Sequence, residues 1–148
     1  MKIFLKDEIT KEVANDITFQ INNTSDKEIE LIINSVGGEI IQGYNIINAL
    51  NNFDGETTAN VQGLAASMAF IIMLSCDKLK VANHSIFMLH DPSNQSIKDD
   101  KQAEILDKFK SSLMKIINNK TNISIEKLFK LMKDETWLNV TDFKEIIK

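Results

Sequence analysis

Arginine is missing from this chain: all 17 basic residues are lysines. A flat fork gripping phosphate or carboxylate through paired hydrogen bonds is thereby excluded, since lysine offers only a point charge. The formal net charge of −4, with the lysines dispersed, gives no electrostatic footprint for nucleic acid. The single Cys76 rules out an intrachain disulfide and fits a reducing compartment. Cys76, His84 and His90 are the only strong soft or borderline ligands, too few to expect a structural zinc. Long apolar runs are also missing. The longest, around Leu64 to Cys76, is too short to span a bilayer and is interrupted by serines. Met1 to Asp7 acquires charge too early for a signal peptide. Glycines number five, and Gly37-Gly38 has no third glycine at dinucleotide spacing. No Walker sequence occurs, so any energy from ATP must come from a partner. These absences lead us to expect a cytoplasmic protein with no metal, cofactor, membrane or nucleic-acid partner.

What is present suits one globular domain over residues 1–148, with 43% hydrophobic and 26% charged residues. No internal repeat, linker or low-complexity stretch divides it. Ile3 to Leu5 reads as a short strand, and Thr10 opens a helix whose Val13, Ile17 and Ile21 share a face. Glu28 to Asn34 reads as a core strand, Ser35 to Gly38 as the turn after it, and Ile40 to Leu50 as a helix. Asp54-Gly55 is a turn before a strand over Thr57 to Val61. A buried helix over Ser67 to Ser75 precedes strands at Lys78 to Val81 and Ile86 to Leu89, then a turn over Asp91 to Asn94. Ala103, Leu106, Phe109, Leu113 and Ile116 or Ile117 mark a long amphipathic helix from about Lys98 to Lys120. Ser124 caps a short helix to Met132, and Thr141 begins a last one. Repeated strand–strand–helix units predict an α/β sheet domain.

Ser67 sits where a strand gives way to a buried helix. Backbone N–H groups there have no intrahelical partner and favour developing negative charge. Either Ser67 caps that helix or it is an acyl-transfer nucleophile. A serine nucleophile requires a base, and of the two histidines His84 reads as a solvated turn residue. His90 ends the apolar strand Ile86-Phe87-Met88-Leu89, where functional side chains collect in α/β sheets. Gly37-Gly38, between a core strand and a helix, can present a bare N–H to a bound carbonyl or simply make a tight turn. With the Met68 N–H it would form a two-donor oxyanion hole.

Ile33-Asn34-Ser35-Val36-Gly37-Gly38, Gly63-Leu64-Ala65-Ala66-Ser67-Met68-Ala69 and Met88-Leu89-His90-Asp91-Pro92 follow one another in family order. They resemble the three signature blocks of the ClpP-type serine peptidases, and the similarity runs from about Ile3 to Val140. The resemblance implies a ClpP/crotonase-like fold of repeated β-β-α units with a long handle helix. It implies assembly into homo-oligomeric rings around an inner chamber and polypeptide substrates, with an ATPase partner left open. It makes Ser67 the nucleophile, His90 the general base, and Gly38 and Met68 the oxyanion donors. Reading back from Trp137-Leu138-Asn139 places Glu135 where the family carries aspartate. Asp134 is the competing acid, because adjacent side chains point apart and only one can reach His90. Asp91 is a third choice, expected to face away.

The chain also departs from the family pattern. Lys133-Asp134 stands where many ring-forming relatives carry Asp-Arg, and Asp91 to Lys98 lacks the usual glycine-rich substrate strand. By this resemblance we expect none of the N-terminal loop that housekeeping members turn toward an ATPase, nor their usual Gly-hydrophobic-Asp finish after Lys148. These departures resemble the head-maturation proteases of phages and prophages, which process capsid and scaffold proteins. The alternatives are a catalytically impaired ring subunit, a housekeeping proteolytic subunit of an ATP-dependent Clp protease, and a crotonase-type acyl-CoA enzyme.

Overall fold

The computed structural model describes residues 1–92 and 99–148. Its elements are β1 (Lys2–Ile9), α1 (Lys11–Asn23), β2 (Glu28–Gly38), α2 (Ile40–Asn51), β3 (Glu56–Ala66) and α3 (Met68–Leu74). They continue with β4 (Lys78–Val81), β5 (Ile86–Leu89), α4 (Asp100–Lys120), α5 (Ile125–Lys133), β6 (Thr136–Leu138) and α6 (Val140–Ile146). The strands form one sheet in the order β1-β2-β3-β5-β6, with β4 also paired to β3. All pairs are parallel except β5 with β6. The α/β expectation therefore holds. Strand–strand–helix order occurs at β4–β5–α4, whereas β1, β2 and β3 are each followed by one helix.

Alternation along the first strands decides which face is covered. Ile3 and Leu5 of β1 and Ile29, Leu31 and Ile33 of β2 are buried, while Lys2, Phe4, Lys6 and Glu28 face water; Ile32 of β2 is buried as well. Helix α1 lays Ala14, Ile17 and Ile21 on the core, capped by the Thr10 hydroxyl, which accepts from Val13 N at 3.3 Å. All seven residues of α3 are buried, so this helix is a core element rather than a surface one. Each such aliphatic side chain contributes about 1.5–3 kcal/mol through burial. Helix α4 begins at Asp100, with Asp99 accepting from Gln102 N at 2.9 Å, and buries Leu113, Met114 and Ile117. The expected Lys98 start, and Ser93 and Asn94 of the expected turn, lie outside the described residues. An aromatic triangle ties the elements beside the site together. Phe87 of β5 stacks on Phe143 of α6 at 4.3 Å, and Phe70 of α3 meets both rings edge-on at 6.2 Å.

Several boundaries differ from the sequence reading, beginning with β1, which runs on to Ile9 instead of ending at Leu5. Strands β2 and β3 run on through Gly38 and Ala66, so Ser35 to Gly38 is strand and not turn. Register shifts between Ile33 and Ser35, and between Lys6 and Glu8, let pairing resume as Ser35 with Ala65 and Ile9 with Gly38. The three-residue β6 was not expected, and α6 begins at Val140 because Asn139, not Thr141, supplies the cap. Among the described residues no helix is long and apolar enough to cross a membrane.

Candidate active site

The site forms where β3 turns into α3 beside the end of β5. Parallel pairing of Ala66 with Met88 brings Ser67 level with Leu89 and His90. The Ser67 N–H donates to Met88 O at 2.8 Å, fixing the corner. The Ser67 backbone holds φ 56° and ψ −125°, in the left-handed half of conformational space. A non-glycine residue held there costs about 1–3 kcal/mol, and such strain clusters at functional sites. The hydroxyl makes no helix-capping bond. Its Oγ lies 2.8 Å from His90 Nε2.

The corner is crowded, and glycine relieves it. Gly37 has φ +89°, and a β-carbon there would lie 2.8 Å from Ser67 Cβ and 2.9 Å from Met68 N. The Gly37 Cα thus lies close against the Met68 amide. The glycine that Ser67 requires is accordingly Gly37, while the Cα of Gly38 faces the Ile9 backbone of β1. Ser35 holds this strand in place. Its buried hydroxyl donates to Asp7 O and accepts from Gly37 N at 3.1 Å. Asp7 sits at the β1 bulge with φ 57°. Sequence reasoning assigned Ser35 no role. The only signal was a serine two residues before a glycine, a common hydroxyl–backbone turn pattern.

The acids separate clearly. Glu135 Oε1 is 3.9 Å from His90 Nδ1, an ion-pair distance outside hydrogen-bond reach, and its side chain is 59% exposed. Glu135 also has a positive φ of 51°. Asp134 caps the end of α5 through its backbone N–H, and no contact joins its carboxylate to His90 among the described residues. Asp91 is turned away, with Lys110 Nζ 2.7 and 2.8 Å from its two oxygens. His84 is exposed in a turn, apart from this cluster. Cys76 offers no second nucleophile: burial pushes its thiol up to about 12. Among the described residues no group of three or more His, Cys, Asp or Glu is placed to hold a metal ion.

A small apolar cleft of about 30 Å³ adjoins Ser67 and His90, walled by Ile40, Ile71, Leu113 and Met132. A hydroxyl hydrogen-bonded to an imidazole, beside helix N-terminal amides and an apolar cleft, can carry out nucleophilic acyl transfer. Residues 1–146 match the Clp protease family. This chain belongs to that family. As a Clp protease it is a peptidase, a hydrolase of the ClpP type. It is similar to the ATP-dependent Clp protease proteolytic subunit 1 of Bacillus cereus (strain ATCC 10987 / NRS 248). The two are 27% identical over 147 residues, which covers 95% of this chain and 76% of the relative. The mixed α/β chain of this Clp protease, with six strands and six helices among the described residues, is consistent with a ClpP-like fold.

Proposed function

We propose that this Clp protease is a serine endopeptidase that cleaves polypeptides through an acyl-enzyme, with Ser67 as nucleophile and His90 as general base. The observation that carries the reading is the 2.8 Å contact between Ser67 Oγ and His90 Nε2. His90 takes the hydroxyl proton as Oγ bonds to the scissile carbonyl carbon. The carbonyl oxygen becomes an oxyanion, held by the N–H groups of Met68 and Gly38. On collapse the C–N bond breaks and His90 gives its proton to the leaving amine. Water then repeats the cycle on the ester and frees Ser67. Glu135, 3.9 Å from Nδ1, balances the transient charge of the imidazole at ion-pair range.

The assembly we propose is a homo-oligomeric ring. Ile105 on α4, Phe129 on α5 and Trp137 on β6 are about half exposed, at 46%, 51% and 54%, and a neighbouring copy would cover them. Sedimentation as a monomer at micromolar concentration would remove that idea. We further propose capsid or scaffold precursors as substrates, a reading supported by the glycine-free sequence over Asp91 to Lys98. Its rival is a role as the proteolytic subunit of an ATP-dependent Clp protease, which is what the name of the Bacillus cereus relative says of that protein. An unfolded polypeptide and a capsid precursor, each incubated with wild type and Ser67→Ala, test both levels. Fragments of either substrate from wild type alone support the endopeptidase. Cleavage of the precursor supports the finer role. Two intact substrates would favour a structural ring subunit, a reading for which the 3.9 Å gap between His90 and Glu135 is the specific observation.

A further inference from the structure

We infer that Lys110, acting through Asp91, is a positioning residue that fixes the aim of His90 at Ser67. The inference rests on the serine-peptidase reading. Asp91 follows His90 in the chain, and its carboxylate reaches α4, where Lys110 Nζ lies 2.7 and 2.8 Å from its oxygens. The Lys110 side chain is 12% exposed and that of Asp91 37%, and the ammonium also stands 3.8 Å from the Phe129 ring centroid on α5. An exposed ion pair would contribute little. A desolvated ammonium, in contrast, is costly without its carboxylate, so the two are held in one arrangement. Lys110 lies three residues before Leu113, where α4 enters the core, and is therefore carried on a fixed part of the helix.

The backbone completes the link. The Asp91 N–H donates to Met132 O at 2.9 Å, and the Glu135 N–H donates to the same carbonyl at 3.3 Å. One oxygen at the end of α5 therefore gathers the residue after His90 and the acid facing His90 Nδ1. Because Glu135 stands 3.9 Å from the ring, no hydrogen bond from it sets the imidazole's orientation. The ring's aim then depends on how firmly residues 90 and 91 are held, and the Lys110–Asp91 pair is the side-chain clamp on them.

The test uses Lys110→Met, which keeps the apolar stem, Lys110→Arg, which keeps the charge, Asp91→Asn, and the Met/Asn double variant. Labelling of Ser67 by a fluorophosphonate gives kinact and KI, and circular dichroism gives Tm. Lys110→Met and Asp91→Asn should each lower kinact roughly tenfold or more, as misplacement of a reacting group does, with KI changed less than about twofold. The double variant should be no slower than the slower single, because both remove one clamp. Lys110→Arg, which keeps the charge on a bulkier head, should lose less kinact than Lys110→Met, and an equal loss would contradict a charge-based clamp. Variants that melt earlier but keep wild-type kinact while folded would overturn the inference. Should Lys110→Met not fold, Asp91→Asn decides by the same criterion. An unlabelled wild type overturns the peptidase reading and this inference with it, whereas a labelled wild type with unaffected variants overturns the inference alone.

Discussion

Ser67 is held by Met88 O behind it, Gly37 beside it and His90 in front, and its positive φ follows from those restraints. Gly37→Ala is the sharpest residue-scale probe, because the new carbon would overlap Ser67 Cβ and Met68 N at a backbone angle that L residues avoid. We expect it to cost about 1–3 kcal/mol from the backbone alone, read as a lower Tm, and to abolish labelling of Ser67. An Ala variant as stable and as reactive as wild type would contradict this packing. His90→Ala should be far more damaging to peptide cleavage than Glu135→Gln, by roughly 10²-fold, because the acid touches the ring only at long range. Steady-state cleavage rates of the two variants check it. Ser67 and His90 were legible in the sequence because each combines a chemical group with a boundary, a strand-to-helix corner and a strand end. Gly37 and Ser35 were not separable from Gly38 and from ordinary turn residues. Their roles depend on which Cα faces the corner, and a strand bulge decides that.

Ser67 immediately precedes helix α3 and His90 immediately follows strand β5, so the packing of those two elements sets the 2.8 Å contact. The Phe70–Phe87–Phe143 triangle joins them to α6. Phe143→Ala should destabilise the fold by about 3–5 kcal/mol, measured by urea unfolding, since Phe143 is 2% exposed and stacks on Phe87. A loss under 1 kcal/mol would mean that α6 does not brace the site. Elements with one dominant signal were the legible ones. Strands β4 and β5 fall on the residues expected, because charged and turn residues bracket them. The ends of β2 and β3 were hidden by Gly37-Gly38 and Gly63, which read as breaks although bulges and positive φ let the strands continue. Thr136-Trp137-Leu138 is too short to show a period, and its strand exists only because β5 offers an edge.

Across the whole molecule, stability should depend on pH partly through Asp77. Its carboxyl is held below the ordinary carboxylate value by the Thr57 N–H and hydroxyl, with smaller help from Lys120 and Lys78. A lowered folded-state value means stability present above the unfolded value, about 3.9, and lost as pH falls through the folded one. The Tm gap between wild type and Asp77→Asn should therefore be open at pH 7 and close toward pH 2, and a constant gap would contradict that coupling. The protein as a whole gathers β3, α3, β5 and the α5–β6 connection at one corner, and peptidase chemistry requires that corner to make a single hydroxyl reactive. The most direct measurement is mass spectrometry of the intact protein and its peptides after exposure to a fluorophosphonate. One adduct is expected, on Ser67, formed by wild type and absent from His90→Ala. An unmodified wild type, or a His90→Ala protein labelled as fast as wild type, would contradict it.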